Sequence, residues 1–339
     1  MELAAGTKTT DAVRSRSDAI AFLLMAGVLI VAPTFAYPVF LMKALCFALF
    51  ACAFNLLIGY VGLLSFGHAL FFGWGAYAAA HLAKVGTVSV PMWLGKWYWL
   101  VIPLPPLPPE LAILGGMLFG ALLGLIVGAL AIRRQGIYFA MITLALAQMM
   151  YFFAVQAPFT HGEDGIQAVP RSKLFGLIDL ANQTNMYATV LVIFLGCFLL
   201  IYRIVNSPFG EVLKAIRENE PRAISLGYKT ERYKLVAFVL SAAFAGTAGA
   251  TKALVFQLAS LTDVEWQMSG EVILMTLVGG LGTLFGPVAG AFFMVTLENY
   301  LTTIGSWVFV VQGSIFVICV LLFRRGIVGE LGRLLRIKL

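Results

Sequence analysis

The chain has 339 residues, 61% of them hydrophobic and 12% charged, with a formal net charge of +7 and a mean hydropathy of +0.94. That balance leaves too little polar surface to cover a water-soluble globule, so the solvent is a bilayer. Apolar runs of about 20 residues recur from end to end, without the short alternating segments of an outer-membrane barrel, which leaves an all-α polytopic membrane protein.

Residues 1–18 read as a cytoplasmic N-terminal tail. Ten candidate spans follow: Ala19–Tyr37, Val39–Ile58, Phe66–Ala83, Leu111–Ile132, Ile137–Gln156, Tyr187–Ile204, Leu235–Thr251, Ser269–Val278, Pro287–Leu301 and Trp307–Phe323. The first is long enough to span and lacks a small-x-small cleavage site after it, so it reads as an uncleaved helix rather than a signal peptide. The eighth is too short to cross alone. It ends in GGLGTLFGP, Gly279–Pro287, a turn that a membrane tolerates only where it is buried in protein or faces water. A second broken start is YVGLLSFGH, Tyr60–His68, and an FG followed shortly by FF recurs at Phe66–Phe72 and Phe285–Phe293. GLIVGAL, FGWGAYAAA and SAAFAGTAGA place small residues at helical intervals, which lets backbones approach closely. Residues 19–328 make one transmembrane domain with a cytoplasmic segment at 205–234, and residues 329–339 a cytoplasmic tail.

Lysine and arginine are enriched in cytoplasmic loops. An inside N-terminus puts 17 of the 23 basic residues on the cytoplasmic side and leaves only Lys43, Lys84, Lys96, Arg171, Lys173 and Lys252 at or near the outer face. Both termini are then cytoplasmic, and the positive charge reflects topology rather than nucleic-acid binding. The outer loop Lys84–Glu110 carries prolines that forbid a helix and aromatic residues suited to the headgroup boundary. The loop Ala157–Met186 carries THGEDGIQAVPRS, whose Glu163 and Asp164 either sit in solvent or form a docking surface for an outside partner.

No G-x-S-x-G, H-E-x-x-H, Cys/His zinc spacing or Walker A loop occurs, so no catalytic residue, metal or cofactor is expected in the chain. Cys46, Cys52, Cys197 and Cys319 lie in apolar runs as packing residues. His68 reads as a hydrogen-bonded helix-start residue rather than a proton relay, and Glu271 and Glu298, near span ends, as interfacial or bundle-facing groups.

The most charged stretch is Pro208–Lys234. Ser207 caps a helix starting at Pro208, with Glu211, Lys214, Arg217 and Glu218 paired at i,i+3 and i,i+4 on its polar side and Val212, Leu213 and Ile216 on the other. Pro221 ends that helix, and PRAISLG forms a second, very short one closed by Gly227. An amphipathic element resting on headgroups needs no such corner, whereas a knob facing a protein does.

NLLIGYVGLLSFGHALFFGWGAYAAA, RRQGIYFAMITLALAQM, GEDGIQ, SPFGEVLKAIRENEPRAISLGY and GGLGTLFGPVAGA together resemble the LivM-type permease subunits of branched-chain amino-acid ABC importers, in the family's order and over about Leu41 to Gly329. The resemblance implies an ABC importer permease fold in the bacterial inner membrane, a second permease of the LivH type, two cytoplasmic ATPases that bind the ATP, and a periplasmic binding protein. It also implies that Arg217, Glu218, Asn219, Glu220, Pro221, Arg222, Ala223, Ile224, Leu226 and Gly227 form the ATPase-coupling segment, with Ala223 its most sterically sensitive member. Substrate-binding residues are not implied. Branched-chain amino acids are the expected solute, with urea or short amides the alternative. A secondary transporter needs ionisable residues at the bilayer midplane, and the sequence puts almost none there.

Overall fold

The computed structural model describes residues 19–84, 87–94, 96–103, 106–301 and 326–334, together with 310, 311, 313, 314, 317 and 321. Among the described residues, five helices have the length and composition to cross a membrane: α2 (Pro38–Ile58), α4 (Pro109–Ala131), α5 (Ile137–Gln156), α6 (Gln183–Val205) and α9 (Thr230–Phe256). Shorter apolar helices are α1 (Ala19–Thr34), α3 (His68–Lys84), α10 (Trp266–Gly279) and α11 (Gly286–Leu301). Two more short helices, α7 (Pro208–Glu218) and α8 (Glu220–Ser225), carry the charged segment. Nine of the expected spans coincide with helices, and the tenth, Trp307–Phe323, lies mostly outside the described residues.

The helices alternate in direction, so the bundle has two ends, named here for Gly59 after α2 and Lys84 after α3. The Lys84 end is laced by loop contacts. Leu107 N donates to Leu82 O, Lys84 Nζ donates to Gln167 O, and Arg171 donates to Leu254 O and Val255 O at the end of α9. The expected proline-rich surface loop is an antiparallel ribbon, Thr87–Leu94 against Lys96–Pro103, with Thr87 opposite Pro103. A two-stranded ribbon has only edge strands, the place in a sheet where a proline such as Pro91 is tolerated. The loop before α6 adds a two-residue strand, Ile166–Gln167, paired with Leu258–Ala259.

The core is built on α9, which packs against α2, α3 and α4. In α4, Gly116, Gly120, Gly124 and Gly128 recur every four residues on the face turned to α9. A Cβ on Gly116 would lie 2.7 Å from Ala250 Cβ, and one on Gly124 2.5 Å from Ala242 Cβ. Because lipid tails are as apolar as leucine, close backbone packing rather than water exclusion holds these helices together. Exposed apolar side chains on the outer helices, such as Leu23, Leu118, Met141 and Val192, meet the lipid instead.

One polar relay ties three helices inside this core. Ser241 Oγ on α9 donates to Ala53 O on α2. A hydroxyl has one proton, so the 2.8 Å contact between His68 Nε2 and Ser241 Oγ is donated by the imidazole. His68 starts α3, is fully buried, and stacks with or abuts Phe50, Phe54, Phe71 and Phe238. It packs as a structural residue of the core. Cys46 and Cys52 are buried and Cys197 half-buried, all free thiols, while Cys319 lies outside the described residues.

A Cβ on Gly246 would lie 2.6 Å from Gly116 O, a backbone atom that cannot move aside. Gly246→Leu is therefore expected to destabilise the fold by about 1–3 kcal/mol or more. That corresponds to roughly 2–4 °C of melting temperature per kcal/mol in detergent. Gly196→Leu, where nothing lies within 4 Å, should leave the melt unchanged.

Candidate functional site

The Gly59 end is organised around two chain breaks. After α2 the chain turns through Gly59–Val61 and runs without helix to His68; after α10 it turns through Gly280–Phe285 before α11. Inside a membrane protein such backbone needs hydrogen-bond partners, from the protein or from water. Asn55, near the end of α2 and 3% exposed, supplies them. Its Nδ2 donates to Thr283 O at 2.9 Å, and its Oδ1 accepts from Gly282 N at 3.0 Å. Thr283 closes the turn from within, donating from Oγ1 to Gly280 O at 2.8 Å and accepting from Gly286 N at 3.1 Å. The Gly-rich turn is thus bound to the neighbouring break, and the helix Gly326–Leu334 closes over it, with Gly326 against Gly280. The residues 329–334 expected in the C-terminal tail belong to that helix.

α7 begins as its sequence dictates: Ser207 Oγ accepts from Gly210 N at 3.3 Å, Pro208 occupies the first turn, and Leu213 and Ile216 face inward. Only part of the expected ion-pair ladder exists. Glu211 and Lys214 pair at 2.7 Å, but Arg217 turns away from the polar side. Its Nη1 donates to Gly59 O, its Cγ lies where a Cβ on Gly62 would come within 3.2 Å, and its Nη1 sits 2.9 Å from the Cβ position of Gly282. Gly62 and Gly282 have φ of +80° and +76°, so the one residue that fits beside the guanidinium also suits the backbone. Arg217 therefore joins the charged segment to both breaks. A cavity of about 360 Å³ opens beside it, lined by Tyr60, Asn206, Glu211, Glu218, Thr283 and Leu284 among others.

The corner between the two short helices falls one step earlier than expected. α7 stops at Glu218, Asn219 is extended (φ −156°, ψ 93°), and Asn219 Oδ1 accepts from Arg222 N at 3.1 Å as the N-cap of α8. Pro221 thus sits in the first turn of α8, where no donor is needed, rather than terminating α7. The end of α8 is as expected. Gly227, at φ +90°, donates to Ile224 O at 2.9 Å while Tyr228 N donates to Ala223 O at 3.2 Å, the paired bonds of a Schellman motif.

The ten residues of this segment divide sharply. Glu220 pairs with Lys234 on α9 at 2.5 Å, with side-chain exposures of 18% and 5%. Ala223 is buried within the chain itself, at 3%. Glu218, Asn219, Pro221, Arg222 and Gly227 are exposed, as are Ile224 at 54% and Leu226 at 69%. Ala223 is thus a packing residue of this chain, and the apolar surface offered outward is Ile224 and Leu226. At the Lys84 end, Glu163 and Asp164 are exposed in a short 3-10 turn.

A family model described as branched-chain amino acid transport system / permease component matches residues 39–322. The chain belongs to that permease family. Relatives include the high-affinity branched-chain amino acid transport system permease proteins LivM of Salmonella typhimurium and Escherichia coli K12, each 25% identical over 84% of this chain and 68% of the relative. A probable branched-chain amino acid transport permease protein LivH of Methanocaldococcus jannaschii is 28% identical over 33% of this chain and 34% of its own. No solved structure matches.

In this permease, Asn55 is the residue that reading the sequence passed over. A lone amide between Phe54 and Leu56 in a long apolar run was the signal, since such a group is retained only where it has partners. Asn55→Leu keeps the size but leaves Gly282 N–H and Thr283 C=O unpaired. The expected loss is about 1–3 kcal/mol per buried group, read as a lower melting temperature in detergent. Lys214→Ala, which removes an exposed pair, should shift stability by roughly 0–1 kcal/mol.

Proposed function

We propose that this permease is the translocation subunit of an ATP-driven, binding-protein-dependent importer of branched-chain amino acids in the bacterial inner membrane, with α7 and α8 on the cytoplasmic side. The observation that carries the reading is the exposed pair Ile224 and Leu226 on a helix fixed to the membrane core by Arg217 and by the Glu220–Lys234 pair. Apolar side chains at the tip of the most charged segment have no use in water, and they suit a cleft in another protein. The partner is the ATPase. Two ATPase subunits bind the ATP, a LivH-type permease completes the pathway, and a periplasmic binding protein docks at the Lys84 end beside Glu163 and Asp164. The named branched-chain amino-acid role of the relatives supports the choice of solute.

The mechanism is alternating access without covalent chemistry in this chain. ATP binding draws the ATPases together, and α8 moves with the cleft that holds it. Arg217 passes that movement to Gly59 and Gly282, hence to the ends of α2 and α10 and the start of α11. Glycine turns absorb it, because they reorient with little steric resistance.

Replacing Ile224 and Leu226 together by Asp should leave membrane insertion intact but abolish ATPase co-purification and solute uptake. Burying each side chain is worth about 1.5–3 kcal/mol, so affinity should fall at least roughly 100-fold. Retained co-purification sinks the coupling role. The purified subunit alone should neither hydrolyse ATP nor accumulate solute, and ion-gradient-driven uptake by it would replace the reading with a secondary carrier. Cysteines placed at Ser225 and Asp164 in a cysteine-free background should react with an impermeant thiol reagent from opposite sides of the membrane. Labelling of position 225 in intact cells would reverse the assigned topology.

A further inference from the structure

Five ionisable side chains from α2, α9, α10, α11 and the loop after α9 gather near the Lys84 end. Lys43 on α2 pairs with Glu298 on α11 at 2.9 Å. Lys252 on α9 holds both carboxylate oxygens of Asp263, at 2.7 and 2.6 Å. Glu271 on α10 lies within electrostatic reach of Glu298, Lys43 and Asp263. Lys43, Glu271 and Glu298 each lie within about two turns of a helix end. At 1.5 Å per residue, Lys43 is about 7.5 Å along α2 from Pro38, Glu271 about 7.5 Å along α10 from Trp266, and Glu298 about 4.5 Å from Leu301.

The two ion pairs are not alike. Lys252 and Asp263 are closed off, with side-chain exposures of 13% and 2%, whereas Lys43 and Glu298 are open, at 29% and 37%. Glu271 forms no hydrogen bond or ion pair among the described residues, so one carboxyl group is left without a partner beside the two pairs. An open pair and an unpaired carboxyl group on spanning helices are costly against acyl chains. That face belongs on water or on solute. Lys43 has three donors and Glu298 takes one of them, so two remain for another anion.

We infer that Lys43 and Glu271 form a solute site in the translocation pathway, Lys43 receiving the carboxylate of a zwitterionic amino acid and Glu271 its ammonium. Every anion then touches a cation: Glu298 and the solute carboxylate share Lys43, and Glu271 takes the ammonium. The site deepens, and rests on, the amino-acid importer reading above. It selects for the zwitterion, which urea and neutral amides lack.

The test uses the assembled importer in vesicles, with ATP, its binding protein and labelled L-leucine. Glu271→Gln and Lys43→Gln should each lower uptake at least about tenfold, and Glu271→Asp should restore most of it. ATP hydrolysis stimulated by the liganded binding protein should stay within about twofold of wild type, because both docking surfaces are untouched. Equal L-leucine uptake by wild type and Glu271→Gln overturns the site alone. Loss of the second permease from the purified Glu271→Gln complex also overturns it, in favour of a subunit contact. A wild-type importer that ignores L-leucine overturns the functional reading and the site with it.

Discussion

Backbone that leaves helical geometry within a membrane protein must be hydrogen-bonded by the protein or by water, and the architecture of this permease follows from how that requirement is met at the Gly59 end. Two breaks lie side by side there, and one amide, Asn55, satisfies the second from the last turns before the first. The turns are therefore mechanically joined. Moving the Gly280–Phe285 turn without moving α2 separates a half-buried N–H and a half-buried C=O from their partner. A displacement applied at either break is shared by the ends of α2 and α10 and the start of α11.

Arg217 makes that shared element accessible from outside the bundle. A guanidinium is planar, permanently charged and rich in donors, and it can cap a carbonyl while lying flat against a glycine. Its bond to Gly59 O and its contact with Gly282 span both breaks. The Glu220–Lys234 pair holds the other side of the helix pair against α9, so α7 and α8 have attachments to separate parts of the core. With the Schellman closure at Gly227, little freedom is left for α8 to swing independently. A rigid attachment transmits force. A flexible one would dissipate it.

Much of this was legible in the residues. Apolar runs located nine helices, Ser207 and Pro208 marked the start of α7, Gly227 marked the end of α8, and the small residues of α4 and α9 announced close packing. What was not legible depended on distance in sequence. Glu211, Lys214, Arg217 and Glu218 satisfy helical spacing equally well, yet only the first two pair, because a carbonyl 158 residues away offers Arg217 a better partner. The corner at Asn219 rather than Pro221 turned on which residue could cap, and Asn219 has the side chain for it. Ala223, expected to be the most sterically sensitive member of the segment, is buried within the chain itself.

The same limit explains the charges at the Lys84 end. Read singly, Lys43, Lys252, Glu271 and Glu298 are span-end residues that reach toward headgroups, and nothing in their local sequence says otherwise. Asp263 and Lys252 answer that description least, since both carboxylate oxygens are taken and the pair is closed. A buried pair of this kind is weak evidence for stability, because desolvation offsets most of its attraction. Its effect is to fix position: it fastens the loop after α9 to α9 itself, and α10 begins three residues beyond Asp263. α10 is then held at both termini, by the closed pair at one and by Asn55 through the turn at the other. A helix restrained at both ends resists sliding along its axis.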